Sequence, residues 1–214
     1  MKSAWDRRPV LALFLVAAAL MPAIQGCESP RYEVHYELGV TPAAVESDAP
    51  EDGPKTTAIA ADIAWTLTSH SLEALVTNRA DTTAVILWEG ATISHDGGEP
   101  EPLISCSPCP GPDLPQAPTT IPRKGQIAID TIPGSLGEWE WLSNRAMGGS
   151  WHATADIMGV PLSEAGSMED IEKAALETVG RKLRIRVPIR IGRRLVTHLY
   201  ELRVSGADVR RAYH

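Results

Sequence analysis

The clearest pattern in the sequence lies between Leu183 and Ile191, where every odd position is apolar and every even position is Arg or Pro. Side chains of a β-strand point to alternate faces, so this pattern is typical of a strand with one buried and one exposed face. The next two residues, Gly192 and Arg193, can form a two-residue turn with Gly first. The segment therefore predicts a β-hairpin.

The turn also predicts which residues face each other across this hairpin. The expected pairs are Ile189 with Val196, Val187 with His198, Ile185 with Tyr200, Leu183 with Leu202 and, on the exposed face, Arg184 with Glu201. A shift of one residue would turn the apolar row toward water, so the register is strongly specified. Pro188 has no N–H to donate, which predicts that its strand lies at a sheet edge. His198 lies on the apolar row and is expected to be a core histidine with satisfied hydrogen bonds.

Six shorter apolar segments upstream are bounded by turn residues. They predict strands at residues 59–67, 72–78, 85–88, 91–94, 102–105 and 126–132. One helix is predicted near residues 168–179, because Ser167 is a good N-cap and Gly180 a natural stop. Its buried face is expected to carry Met168, Ile171, Ala175 and Val179. Eight or more strands with one short helix predict a mainly β fold, either a sandwich or a related barrel.

Three stretches of this region resemble the immunoglobulin-like domains found in many bacterial lipoproteins. They are Leu75-Val-Thr-Asn-Arg79, Ile86-Leu-Trp-Glu89 and Thr120-Ile-Pro-Arg-Lys-Gly125. The resemblance implies an immunoglobulin-like β-sandwich, which we expect to occupy residues 58–214 and to include the helix near 168–179. It implies no activity, because its motifs are turn and core signals.

The N-terminus has the layout of a secretory signal. An apolar run from Val10 to Leu20 follows a basic start and ends in small residues. The run is shorter than the roughly 20 residues of a membrane-spanning helix. Its ending, Ile24-Gln25-Gly26-Cys27, resembles the lipobox of bacterial lipoproteins. The resemblance implies a signal peptide at 1–26 and acyl chains on Cys27; the alternatives are an ordinary secretory signal with a chance cysteine and an uncleaved apolar anchor.

The segment after the cysteine is predicted to be a flexible tether. Residues 27–57 are rich in Pro, Glu, Asp, Ala and Thr, although Tyr32 to Leu38 alternate and could form a short strand. The resemblance to lipoproteins implies a location in the cell envelope. Glu28, rather than Asp, follows the cysteine, and by resemblance to enterobacterial sorting this favours the outer membrane over the inner.

The charge of the chain is unevenly distributed. Its formal net charge is −7, yet residues 181–214 hold ten Lys or Arg against two acidic residues, Glu201 and Asp208. Such a basic end is usually a solvated strand face; the alternative is a patch for anionic lipid or polysaccharide. We expect no nucleic-acid partner for an exported, acidic protein.

Cys106 and Cys109 remain as a pair once Cys27 is acylated. An exported protein enters a compartment that permits disulfides, so the pair predicts a structural disulfide that closes a small loop. The alternative is a redox-active CxxC site, but such a thiolate needs a helix N-terminus, and Pro110 and Pro112 follow directly. A metal site would need two further ligands at a recognisable spacing.

The tryptophans give a further candidate. Trp139, Trp141 and Trp151 lie in a Gly-rich segment and could stack on sugar rings as a glycan-binding platform. The alternative is that Trp139 and Trp141 pack at the end of the core, while Trp65 and Trp88 are expected to lie inside it.

No nucleophile elbow, phosphate loop or paired-His zinc motif is present in the sequence. We therefore predict a non-catalytic envelope module for binding or assembly, with no cofactor or metal. Its expected partners are the membrane, through the lipid anchor, and an envelope protein or polysaccharide. The alternatives are a thiol–disulfide oxidoreductase that uses Cys106 and Cys109, and a glycan-binding module that uses the Trp cluster.

Overall fold

The structure is a computed structural model that describes residues 31–47, 61–106, 115–141, 149–162 and 167–212. The predicted signal peptide and Cys27 lie outside these residues. Among the described residues, no helix has both the length and the apolar character that crossing a membrane requires.

The described residues form twelve strands, one α-helix and two short 3-10 turns. The strands are β1 (Arg31–Ser47), β2 (Ala61–Thr68), β3 (Leu72–Asn78), β4 (Ala84–Ile86), β5 (Thr92–His95), β6 (Glu101–Ser105), β7 (Thr119–Ile121), β8 (Gln126–Pro133), β9 (Gly137–Trp141), β10 (Gly149–Ala153), β11 (Lys182–Ile191) and β12 (Arg194–Ala212). The helix is α1 (Met168–Glu177), and the 3-10 turns are Trp88–Gly90 and Gly134–Leu136.

Eight of the strands close into an antiparallel β-barrel, in the order β12-β1-β2-β3-β8-β6-β5-β11, with β11 pairing back to β12. Strand β4 pairs with β11 beyond the end of β5, and β7 pairs with β4. Strands β9 and β10 form a separate two-stranded sheet. The mainly β prediction is confirmed, but the prediction of an immunoglobulin-like sandwich is wrong. A sandwich has two sheets with free edges, whereas β12 here pairs with β11 on one side and β1 on the other.

The predicted hairpin is confirmed residue by residue. Strands β11 and β12 pair Ile189 with Val196, Val187 with His198, Ile185 with Tyr200, Leu183 with Leu202, and Arg184 with Glu201. Gly192 has φ 60°, the left-handed conformation that the predicted turn requires.

The prediction that Pro188 marks an edge strand is wrong. Strand β11 lies inside the sheet, between β12 and the pair β5 and β4. Pro188 falls where β11 changes neighbours, because β5 pairs with Leu183 to Arg186 and β4 with Ile189 to Ile191. A missing N–H can be accommodated at such a gap as well as at an edge.

The barrel interior is filled by apolar side chains that alternate along its strands. Strand β2 contributes Ala61, Ile63, Trp65 and Leu67, and β3 contributes Leu72, Ala74 and Val76. Trp65 and Trp88 are both buried, as predicted. Trp88, however, begins a 3-10 turn instead of ending the strand predicted at 85–88. The interior is therefore a packed core, as is common in barrels of eight strands.

Helix α1 begins where the sequence predicts. The backbone N–H of Asp170 donates to Ser167 Oγ at 3.2 Å, which is an N-cap hydrogen bond. Ile171 and Ala175 are buried against the barrel. Val179 lies beyond the end of the helix and is 44% exposed, so its assignment to the buried face is wrong.

Strand β1 occupies residues that the composition had assigned mainly to a tether. Val34 and Tyr36 are buried in the core, and Tyr32 and Leu38 pack against it. The alternation of these four residues was the sequence signal for the strand.

Candidate functional site

The exposed arginines of the C-terminal hairpin form the most strongly charged surface that the sequence singles out. Arg184, Arg186 and Arg190 are exposed on β11, while Leu183, Ile185, Val187 and Ile189 are buried. The two-residue period of a strand produces this separation. Arg193 and Arg194, at the turn, are exposed as well.

One acidic residue neutralises the start of this row. Glu201 Oε1 lies 2.5 Å from Lys182 Nζ, and Glu201 Oε2 lies 3.5 Å from Arg184 Nε. The hydrogen bond from Lys182, with further contributions from both cations, holds the pKa of Glu201 below its usual value. Lys182 and Arg184 are thus compensated within the fold.

Four further arginines at the turn end of the hairpin, Arg186, Arg190, Arg193 and Arg194, are called here the arginine cluster. Within the described part of the chain, none of the four forms an ion pair. Arg190 lies opposite Val85 of β4, and Val85 lies opposite Thr120 of β7, so its neighbours on the sheet are uncharged. Arg186 and Arg190 share the exposed face of β11, Arg193 is in the turn, and Arg194 lies opposite Ile191, on the other face of the hairpin. The cluster is therefore a concentration of positive charge around the turn end of the hairpin.

A second candidate is a buried carboxyl at one end of the barrel. Asp156 is 2% exposed, and the hydroxyl of Tyr36 donates to its two carboxyl oxygens at 2.9 and 2.8 Å. The backbone N–H groups of Met158 and Val160 donate to Oδ1 at 2.7 and 3.2 Å. Burial raises the pKa of Asp156, against the lowering effect of these hydrogen bonds. Burial, with the Asp156 charge adding to it, also raises the pKa of Tyr36.

This network ties residues 156–160, called here the plug segment, to the barrel. The N–H of Ile157 donates to Ser69 O at 2.9 Å, in the turn between β2 and β3. Arg181 also donates to Met158 O and pairs with Asp96 at 2.8 Å. Every named donor to Asp156 comes from the fold itself, so the carboxyl holds the plug segment in place.

A third candidate lies inside the barrel. His198 is 3% exposed, and its Nδ1 lies 3.5 Å from the Tyr200 hydroxyl. Trp65 meets Tyr200 edge to face, with ring centroids 5.8 Å apart. Burial lowers the pKa of His198 and raises that of Tyr200 to about 12. His198 is therefore a core histidine, as predicted; its Nδ1 has the Tyr200 hydroxyl as a partner, and its Nε2 has none among the described residues.

The predicted cysteine pair is described only in part. Cys106 directly follows β6, is half-buried, and its N–H donates to Asp130 O at 2.7 Å. Cys109 lies outside the described residues, so the disulfide and its redox alternative stay predictions. After the residues that are not described, the Gln116 side chain accepts a hydrogen bond from Ser105 N at 2.8 Å and donates one to Leu103 O at 3.0 Å. No pattern in the sequence predicts these two hydrogen bonds to β6.

The predicted tryptophan platform falls on the β9–β10 hairpin. Trp151 is opposite Trp139, and Gly149 is opposite Trp141. Trp139 is half-buried. The side chains of Trp141 and Trp151 lie outside the described part of the structure, so the glycan-binding alternative stays a prediction. Across the residues that the structure describes, no group of three or more His, Cys, Asp or Glu side chains could hold a metal ion.

Comparison of the chain with protein-family models, with curated proteins and with solved structures gives no match.

Proposed function

We propose that the protein is a lipid-anchored, non-catalytic module of the cell envelope that binds an anionic polysaccharide through the arginine cluster. The anchor is Cys27, and Glu28 favours the outer membrane. The observation that carries the binding role is the arginine cluster itself.

Two physical arguments favour a ligand over simple solvation for this surface. First, like charges on a rigid surface repel one another and attract counter-ions of the opposite sign. Lys182 and Arg184 have an acidic partner in Glu201, whereas Arg186 and Arg190 on the same strand have none in the described residues. Second, the planar guanidinium presents several donors in a fixed geometry that matches carboxylate and phosphate groups.

The size of the cluster suits a repeating polymer. Arg186 and Arg190 are four residues apart along β11, a separation of roughly 13 Å. Several anionic groups of one chain can therefore be bound at once, and the separate weak contacts add up through the effective concentration of the linked groups.

Binding of the lipidated protein, in detergent, to polygalacturonate tests this proposal. Arg190→Ala with Arg193→Ala removes two charges that make no ion pair in the described structure. Each exposed charge pair is worth about 0.2–1 kcal/mol, so we expect affinity to fall roughly 2- to 30-fold. Lys173→Ala with Arg203→Ala removes the same charge from exposed sites away from the turn, on α1 and opposite Lys182, and is the control.

Neutral dextran should not bind, and raising the salt concentration should weaken binding to polygalacturonate. Equal affinity of the two double variants would refute the role of the arginine cluster. An envelope protein recovered by crosslinking from the parent, but not from the Arg190→Ala and Arg193→Ala variant, would replace the polysaccharide by a protein partner.

A further inference from the structure

The start of β1 and the proposed anchor are very close in the chain. Arg31, the first residue of β1, is four residues after Cys27. A fully extended chain covers at most about 3.6 Å per residue, so these two positions are at most about 14 Å apart. A short reach of this kind limits how far the barrel end at Arg31 can be from an acylated Cys27.

Strand β12 is the neighbour of β1, and two close approaches show how the two strands run. Gly39 of β1 is near Arg203 O of β12, and Gly206 of β12 is near the carboxylate of Glu37 of β1. Position 39 thus corresponds to 203 and position 37 to 206, so the two strands are antiparallel. The first residues of β1 consequently lie beside the last residues of β12, which ends at Ala212.

The turn between β2 and β3 belongs to the same end. The N–H of Val34 donates to Ser69 Oγ at 3.2 Å, and the N–H of Ser69 donates to Val34 O at 2.8 Å. We call this end the anchor-side end, formed by residues 32–34, 69–71 and 209–211.

We propose that the anchor-side end rests on the phospholipid surface of the membrane that holds Cys27, so that the barrel stands on the bilayer instead of hanging from a long tether. This inference rests on the proposed lipid anchor. The headgroup layer is about 5–7 Å thick on each side of the hydrocarbon core. The linker can cross that layer and still leave the barrel end in contact with it.

The charges at this end suit a weakly anionic surface. Arg210 and Arg211 are exposed on β12, and Arg210 Nε pairs with Asp208 at 2.7 Å. Asp156 is buried at the same end, and Glu33 lies 3.2 Å from the ring of His35. Arg211 can therefore contact lipid phosphates. One basic residue near an anionic membrane surface contributes about 1 kcal/mol of binding free energy.

The same geometry places the arginine cluster far from the membrane. Strand β12 starts at Arg194, beside the cluster, and ends at Ala212 at the anchor-side end. At about 3.3 Å per residue, its nineteen residues span roughly 60 Å of chain path. The cluster therefore faces away from the anchoring bilayer, toward the space where an envelope polymer would be met.

Fluorescence quenching in vesicles tests this orientation. The full lipidated protein is reconstituted into phosphatidylethanolamine and phosphatidylglycerol vesicles that contain a lipid with a nitroxide on its headgroup. A fluorophore is placed at position 211 in one protein and at position 193 in another, through a genetically encoded azide-bearing amino acid. We expect quenching at position 211 to be at least threefold stronger than at position 193.

A flexible insert of twelve Gly and Ser residues between Pro30 and Arg31 should reduce the quenching at position 211, because it frees the barrel from the surface. Equal quenching at positions 211 and 193, in protein that floats with the vesicles, overturns the orientation and leaves the anchor standing. Failure of the protein to float with the vesicles overturns the lipid anchor and this inference together.

Discussion

Removing the carboxyl of Asp156 should destabilise the barrel far more than removing an exposed carboxyl. Asp156→Ala leaves three buried donors without an acceptor: the Tyr36 hydroxyl and the N–H groups of Met158 and Val160. An unsatisfied buried polar group costs about 1–3 kcal/mol, and some water can enter at a barrel end. We therefore expect a loss of about 3–6 kcal/mol, a large part of the stability of a typical domain.

Tyr36→Phe should cost less, about 1–2 kcal/mol, because Asp156 keeps its two backbone donors. The two changes share a hydrogen bond, so the double variant should lose less than the sum of the single losses. Asp208→Ala, which breaks an exposed ion pair with Arg210, is the control and should stay within about 0.5 kcal/mol. Urea unfolding of each variant measures these values. A loss below 1 kcal/mol for Asp156→Ala would refute the role assigned to the network.

The pH dependence of Asp156 has a definite sign. Burial raises its folded pKa above the ordinary value of 3.8, so the folded state holds this proton more tightly than the unfolded state. The resulting stability is present below pH 3.8 and is lost as the pH rises through the folded pKa. Asp156→Asn does not titrate. The unfolding free energy of the parent relative to this variant should therefore fall as the pH rises from about 3.5 to 7, and a rise would contradict the burial argument.

Three other predictions concern the hairpin, the cysteines and the buried histidine. Ile185→Asp places a carboxylate in the core and should cost several kcal/mol, whereas exposed Arg186→Asp should cost about 0.5 kcal/mol or less; equal losses in urea unfolding would contradict the alternation. If Cys106 and Cys109 form a structural bridge, the protein should not reduce insulin; turnover that is lost in Cys106→Ser would favour the oxidoreductase. Burial lowers the pKa of His198, so its contribution to the unfolding free energy is present above pH 6.5 and is lost as the pH falls through the folded pKa. His198→Phe should therefore flatten the decline in unfolding free energy between pH 7 and 5.

The sequence was informative wherever the structural signal is local. The alternation from Leu183 to Ile191 and the Gly at position 192 specify a hairpin and its register without reference to the rest of the chain. Ser167 specifies the start of α1 in the same way. The exposed arginines follow directly from that alternation, so the candidate binding surface could be located in advance.

Closure of the barrel could not be predicted, because it depends on the pairing of β12 with β1, at opposite ends of the described chain. A sandwich and a barrel bury the same alternating residues, so the pattern does not distinguish them. The network of Tyr36 and Asp156 was missed for a similar reason, since 120 residues separate its members. Pro188 gave a wrong prediction of an edge strand, because a gap between two neighbouring strands accommodates a missing N–H as an edge does.

Acylation of Cys27 decides the proposed location of the protein and the orientation of its barrel, because both depend on the lipid anchor. Cells that express the parent or Cys27→Ser are grown with a labelled fatty acid, and the purified proteins are compared by label and by mass. We expect label on a parent protein that begins at Cys27, and an unlabelled, uncut Cys27→Ser precursor. Equal labelling of the two proteins, or a parent protein without label, would contradict the lipid anchor.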